Sequence, residues 1–115
     1  MKRYIIIQPH LSTYPDPITL NTGDKVIYGR EDTEYPNWIF CISPSGKKGW
    51  VPKQILSTDP STDIATVTQS YSAHELTVEA GENMTAHHHL NEWTLCRRDT
   101  GEEGWIPNRC LMKQN

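Results

Sequence analysis

Tryptophan and proline recur at one spacing, Trp-x11-Trp-x-Pro, in two parts of the chain. The two sets are Trp38, Trp50 and Pro52, and then Trp93, Trp105 and Pro107. An indole ring packs its face against apolar groups while its N–H donates a hydrogen bond. Side chains two residues apart on a strand lie on one face, so the second Trp of each set would lie beside the Pro. The spacing predicts two ligand-binding or interface surfaces, with ordinary core packing of the rings as the alternative.

Histidine and cysteine are weaker candidates for chemistry. His87 and His89 of "HHHL" would point to one side of a strand and chelate a metal ion together. A structural zinc site needs four ligands, however, and the sequence has no Cys-x-x-Cys and no second His pair. A thiol nucleophile needs an oriented base, and no Cys–His–Asx series is visible. We therefore expect no catalytic residue, no metal site and no cofactor, and we predict that the protein is not an enzyme.

Charge and hydropathy narrow the classes of partner. The net charge is −3, which does not favour a basic nucleic-acid surface. The sequence has no apolar run of membrane-spanning length, and the start "MKRYIIIQPHL" lacks the apolar region of a signal peptide. Cys41 and Cys96 stand at equivalent repeat positions, which indicates reduced core thiols. We expect a cytoplasmic protein that binds neither nucleic acid nor membrane.

An internal repeat organises the chain. The segment "GKKGWVP" at residues 46–52 returns as "GEEGWIP" at 101–107, and Trp38 and Cys41 match Trp93 and Cys96 at the same offset. Residues 58–63, "TDPSTD", hold no apolar side chain, which is typical of a linker. The pattern predicts a first repeat at residues 1–57, a linker at 58–63 and a second repeat at 64–115.

Short β-branched or aromatic segments fill both repeats. They include "RYIIIQ", "KVIYG", "WIFCIS" and "GWVP" in the first, and "IATVTQ", "NMTAHH", "WTLCRR" and "GWIP" in the second. Gly, Pro, Asp and Asn bound them, and no stretch sustains the periodicity of a long helix. About five strands for each repeat indicate an all-β protein with two consecutive small five-stranded barrels.

The order "ELTVEAGE…EWTLCRRDTGEEGWIPNRCL" resembles an SH3 domain. In that resemblance "ELTVEAGE" stands for Glu-Leu-Ser-Phe and Gly-Asp, and Trp93 is the first Trp of the family's pair. Cys96 stands at the small core Ala, and "GWIP" at Gly-Tyr-Ile-Pro. The first repeat fits likewise through "PITLNTGD", Trp38, Cys41 and "GWVP". The chain is thus similar to a tandem of SH3-like domains of a divergent or bacterial type.

The resemblance implies a groove that binds peptides, usually proline-rich segments in the polyproline helix. By position, the first groove would contain Trp38, Trp50 and Pro52, with Tyr14 as a substitute aromatic residue. The second would contain Tyr71, Trp93, Trp105 and Pro107. The late groove Tyr is replaced by Ile55 and Cys110. Three acids, Glu31, Asp32 and Glu34, precede Trp38 and favour a basic ligand beside it.

Two other functions remain open. The Trp surfaces would serve assembly if they were buried between the repeats or in a homodimer. A glycan or cell-wall ligand is the third candidate, because Trp stacks on sugars and bacterial SH3-like repeats serve there. The leading hypothesis is a non-enzymatic module that recruits a proline-rich or basic protein segment.

Overall fold

A computed structural model describes residues 2–13 and 16–114. The strands are β1 Lys2–Ile6, β2 Thr19–Leu20, β3 Lys25–Glu31, β4 Trp38–Ile42, β5 Lys48–Pro52, β6 Leu56–Thr58, β7 Ile64–Val67, β8 Tyr71–Ser72, β9 Asn83–Leu90, β10 Trp93–Arg97, β11 Glu103–Pro107 and β12 Leu111–Lys113. Single 3-10 turns occupy Lys53–Ile55 and Asn108–Cys110. These described residues contain no α-helix, and the all-β prediction is confirmed. Over the same residues, no helix is long and apolar enough to cross a membrane.

Two five-stranded antiparallel sheets share one topology. Their strand orders are β5-β4-β3-β7-β6 and β11-β10-β9-β1-β12. The prediction of two small five-stranded SH3-like units is confirmed, with one difference: the sheets are open and do not close into barrels. Strands β2 and β8 form a separate two-stranded ladder.

The two repeats exchange their opening strands. Strand β1, from the first repeat, pairs with β9 and β12 of the second. Strand β7, from the second repeat, pairs with β3 and β6 of the first. The compact units are therefore residues 16–73, here called the central unit, and residues 1–15 with 74–115, here called the split unit. The predicted boundaries at 57 and 64 mark the sequence repeats and not the compact units.

The predicted linker explains the exchange. Residues 59–63 form the turn of a hairpin in which β6 lies directly against β7, with Leu56 opposite Val67. Asp59 closes the turn, because its carboxylate accepts hydrogen bonds from the backbone N–H and the hydroxyl of Ser61. A short hairpin loses less loop entropy than pairing across a whole repeat. Once β7 fills the place between β3 and β6, strand β1 is left to fill the equivalent place in the split unit.

The core of each unit follows the alternation of its strands. Both β4 and β10 bury every second residue, which places Cys41 and Cys96 inside and leaves Trp38 and Trp93 half-buried on the other face. The split-unit core consists of Ile6, Leu76, Val78, Met84, Cys96, Ile106 and Cys110. The three cysteines are free and buried, and desolvation raises the pKa of Cys41 and of Cys96 to about 11. The expected core thiols are confirmed.

The repeated "GxxGW" phrase has a structural use at both glycines. Gly46 and Gly101 adopt φ of 89° and 101° in the hairpin turns, a region that glycine enters without steric strain. Gly104 lies close to Leu76, because an added Cβ at this glycine would stand 2.9 Å from the Leu76 Cγ. Gly49 meets Ile18 in the same way, at 2.9 Å from its Cγ2.

Candidate functional site

The first Trp–Pro set lies on the face of the central unit that points away from its core. Trp38 stands directly opposite Pro52 across β4 and β5, and Phe40 stands opposite Trp50. Trp38 and Trp50 are both half-buried, so each ring reaches the surface. Pro52 is fully buried, so it lies beneath the surface and does not face a ligand.

The sequence analysis did not predict that Phe40 and Arg30 lie beside Trp50. The Phe40 ring meets the Trp50 ring edge-on, with centroids 5.5 Å apart at 74°. The Arg30 guanidinium carbon stands 5.7 Å from the Trp50 centroid, within the range of a cation–π interaction. Phe40 follows Trp38 by two residues, so strand alternation was the signal that could have placed it on this face.

The predicted acids beside Trp38 are largely engaged in holding their own loop. Glu31 bonds the Lys53 ammonium at 3.1 Å and the backbone N–H of Asn37 at 3.1 Å. The Asn37 N–H, followed by Lys53, lowers the pKa of Glu31. Asp32 accepts hydrogen bonds from the backbone N–H groups of Glu34 and Tyr35 at 2.8 and 3.3 Å. Glu34 is exposed. Of the three acids, it is therefore the one that best matches the predicted carboxylate for a basic ligand.

The second Trp–Pro set has the same register but a different exposure. Trp93 lies opposite Pro107 across β10 and β11, and Leu95 lies opposite Trp105. Trp93 is half-buried, whereas Trp105 is only 7% exposed. The His88 ring lies edge-on to Trp105, with centroids 6.4 Å apart. Trp50 and Trp105 match in sequence, yet only Trp50 presents its ring.

Two further aromatic residues were predicted as groove residues, Tyr71 for the second groove and Tyr14 for the first. Tyr71 was assigned to the groove of the second repeat, but this residue is buried in the central unit, where it pairs with Leu20. The strand exchange thus places Tyr71 in the central unit, whereas Trp93 belongs to the split unit. Tyr14, the substitute aromatic residue of the first groove, lies outside the described residues.

The split unit places His10 beside Trp93, and Glu75 on the other contact of the His10 ring. The His10 ring lies edge-on to Trp93, with centroids 5.6 Å apart at 81°. His10 Nε2 stands 2.8 Å from Glu75 Oε1, and the two side chains are 13% and 16% exposed. Sequence reasoning missed His10 because it belongs to the other repeat, 65 residues from Glu75.

A polar cleft of about 530 Å³ opens beside Glu75 in the split unit. Its lining includes Ser12, His74, Glu75, Thr77, Arg98 and Glu102. Arg98 binds the Glu82 carboxylate at 3.2 Å and also bonds Glu102 and the Thr77 carbonyl. The cleft is therefore lined by charges that are already paired in this unit.

One residue of the histidine cluster, His89, is held by contacts within the sheet of the split unit. The Thr94 hydroxyl, fully buried, donates to Asn108 Oδ1 at 2.6 Å and so accepts from His89 Nδ1 at 2.6 Å. Tyr4 lies on the other side of the His89 ring, edge-on at 5.9 Å. Across residues 2–13 and 16–114, no group of three or more His, Cys, Asp or Glu side chains is arranged to hold a metal ion.

Comparison with known families agrees with the topology of the two sheets. The model of the variant SH3 domain matches residues 3–59, and the model of the SH3 domain matches residues 69–108. No curated protein matches the chain. Both matches follow the sequence repeats, so each of them includes an opening segment that the fold gives to the other unit. The chain belongs to the SH3 domain family and carries two such domains in tandem.

Proposed function

We propose that this tandem SH3 protein is a non-enzymatic, cytoplasmic module that recruits a proline-rich protein segment through the Trp38 surface of its central unit. SH3 domains in general mediate protein–protein interaction and are not catalytic. The observation that carries the proposal is the half-exposed Trp38 ring opposite Pro52, with the half-exposed Trp50 on the same face. The proposal includes no nucleic-acid or membrane partner.

The geometry suits a polyproline helix. Such a helix is already extended and has no internal hydrogen bonds, so it loses little entropy on binding. Its ridges pack between aromatic rings while an indole N–H donates to one of its carbonyl groups. Trp38 and Trp50 supply two rings on neighbouring strands, and the exposed Glu34 adds a negative charge at the Trp38 end of the loop. A peptide with a basic residue beyond its prolines is the ligand that we expect.

Titration of the full chain with a synthetic proline-rich peptide tests the proposal. We expect amide resonances around Trp38 and Trp50 to shift, and Trp38→Ala to weaken binding at least about tenfold, since buried aromatic anchors dominate such interfaces. Met112→Ala is the control, because Met112 is an exposed apolar residue on β12 of the split unit. Equal binding by Trp38→Ala and Met112→Ala would rule out the Trp38 surface.

One observation favours assembly as a second candidate. Ile42, Ile27 and Ile64 lie opposite one another across β4, β3 and β7. Ile27 is 45% exposed and Ile64 is 37% exposed, so the row is an apolar strip on the outer face of the central unit. The partner proposed for this strip is a second copy of the chain. Sedimentation velocity over a range of concentrations distinguishes such assembly from peptide recruitment by a monomer. A dimer whose Trp38 resonances do not respond to peptide would favour assembly.

A further inference from the structure

We propose that His10 is an internal basic ligand of Glu75, and that it sets the charge preference of the split unit's Trp93 surface. With the pair formed, this surface takes an uncharged proline-containing segment and does not select a Lys or Arg side chain. The inference rests on the proposed function, because it extends to the Trp93 surface of the split unit the peptide binding proposed for the Trp38 surface.

Burial makes the pair an obstacle to a ligand cation. The side chains of Glu75 and His10 are 16% and 13% exposed, and Glu75 Oε1 stands 2.8 Å from His10 Nε2. A carboxylate this far removed from water needs a hydrogen-bonding or charged partner. His10 supplies that partner from within the chain. A basic side chain entering from the polar cleft, which Glu75 lines, would have to replace His10 as the partner of Glu75 Oε1 before it could pair with that oxygen.

The His10 ring is held in place on two sides. Its backbone N–H donates to the Val78 carbonyl at 3.0 Å, and its carbonyl accepts from the Val78 N–H at 2.8 Å. Its ring packs edge-on against Trp93. The ring therefore occupies the space between Trp93 and Glu75, where a ligand cation would otherwise meet both an aromatic ring and an acid.

The pair exists only because the opening strands are exchanged. His10 pairs with Val78 in the split unit as Tyr71 pairs with Leu20 in the central unit. By the offset that relates Leu20 to Val78, the position equivalent to Glu75 in the first repeat is Pro17. In an unexchanged chain His10 would face a proline and Glu75 would face a tyrosine. The exchange thus decides the charge seen by a ligand at Trp93.

Two peptides and four proteins test the inference. The probes are a synthetic proline-rich peptide with one Arg and the same peptide with Gln in its place. All four proteins are full-length and carry Trp38→Ala, which weakens binding by the central unit. The first keeps the wild-type pair and the second carries His10→Ala. The third carries His10→Ala with Glu75→Gln, and the fourth carries His10→Gln. The last keeps a hydrogen-bond donor and much of the side-chain volume, and so covers a failure of His10→Ala to fold. Binding is followed by amide shifts around Trp93.

We expect the wild-type pair to bind both peptides with similar affinity. The His10→Ala protein should prefer the Arg peptide by about tenfold, and the preference should disappear when Glu75→Gln is added. The His10→Gln protein should show a smaller preference of the same sign. An unchanged ratio in both His10 variants, or a preference that survives Glu75→Gln, overturns the inference while leaving the proposed function intact. The unsubstituted chain is the reference protein for the four. Binding by the reference alone overturns the inference and leaves the proposed function intact, and if neither peptide binds any of the five proteins, both proposals fail.

Discussion

The exchange of opening strands predicts which pair of engineered cysteines will form a disulfide. Ile5 lies directly opposite Met112 across β1 and β12. The equivalent of Met112 in the first repeat is Ser57, which lies opposite Thr66 of β7. The exchanged fold therefore predicts a disulfide in Ile5→Cys with Met112→Cys. A fold without exchange would instead place Ile5 opposite Ser57, and would form the disulfide in Ile5→Cys with Ser57→Cys.

The size of the effect follows from strand geometry and loop length. Residues directly opposite in an antiparallel pair have Cα atoms about 4.5–5.5 Å apart, within the range of about 4.4–6.8 Å that a disulfide spans. A bond between positions 5 and 112 closes a loop of about 100 residues, for which the chain-entropy model gives about 4.7 kcal/mol. Native-state strain lowers the measured gain, and we expect about 2–4 kcal/mol.

The assay compares the two double variants under mild oxidation. Intact mass and gel mobility without reductant report the bond, and urea unfolding with and without reductant reports the gain in stability. The native thiols at Cys41, Cys96 and Cys110 are buried, which limits mispairing in the folded state. Rapid closure of the 5–57 pair with failure of the 5–112 pair would refute the exchange and, with it, the origin of the His10–Glu75 pair.

Two other changes test local features of the split and central units. Gly104→Ala should lose about 1–3 kcal/mol in urea unfolding, because its Cβ would stand 2.9 Å from Leu76 Cγ and 3.0 Å from the Leu76 backbone nitrogen. Gly29→Ala, whose nearest neighbour would be 3.7 Å away, should change stability by less than about 0.5 kcal/mol; equal losses would contradict the packing argument. The backbone N–H of Glu79, and then Arg98, lower the pKa of Glu82, so its carboxylate stabilises the fold above the ordinary Glu range near pH 4. That contribution is lost as the pH falls through the lowered pKa, so Glu82→Gln should be less stable than wild type at pH 7 and approach it at acid pH, whereas an equal difference at both pH values would contradict the assignment.

Local patterns were sufficient for much of the fold. The repeat and the SH3 resemblance predicted Cys41 and Cys96 in the cores. Trp38 and Trp93 lie on the opposite faces of the same strands, because burial on one side of a strand repeats every second residue. The repeated Gly-x-x-Gly-Trp phrase marks a hairpin turn in each unit at its first glycine, and the structure adds a close approach at its second. These features depend on residues that are close together in the sequence, so they can be predicted from it.

Exposure of the predicted site residues was harder to predict. Trp50 and Trp105 occupy matched positions, each after a Gly and two residues before a Pro, yet only Trp105 is buried. His88, two strands away on β9, lies edge-on to the Trp105 ring, whereas Arg30 and Phe40 flank the Trp50 ring. Which side chain covers a ring depends on strand register, and the bulges in both sheets shift that register.

The sequence alone determined that this protein contains two similar β units with aromatic surfaces, because turn chemistry, alternation and the repeat are local signals. Only the tertiary structure decided which opening strand completes which unit. The two strands and the two places that receive them are chemically alike, so no local pattern distinguishes the pairings. The short 59–63 turn favours the pairing of β7 with β6, its neighbour along the chain. Strand β1 then completes the split unit, where His10 contacts both Glu75 and Trp93.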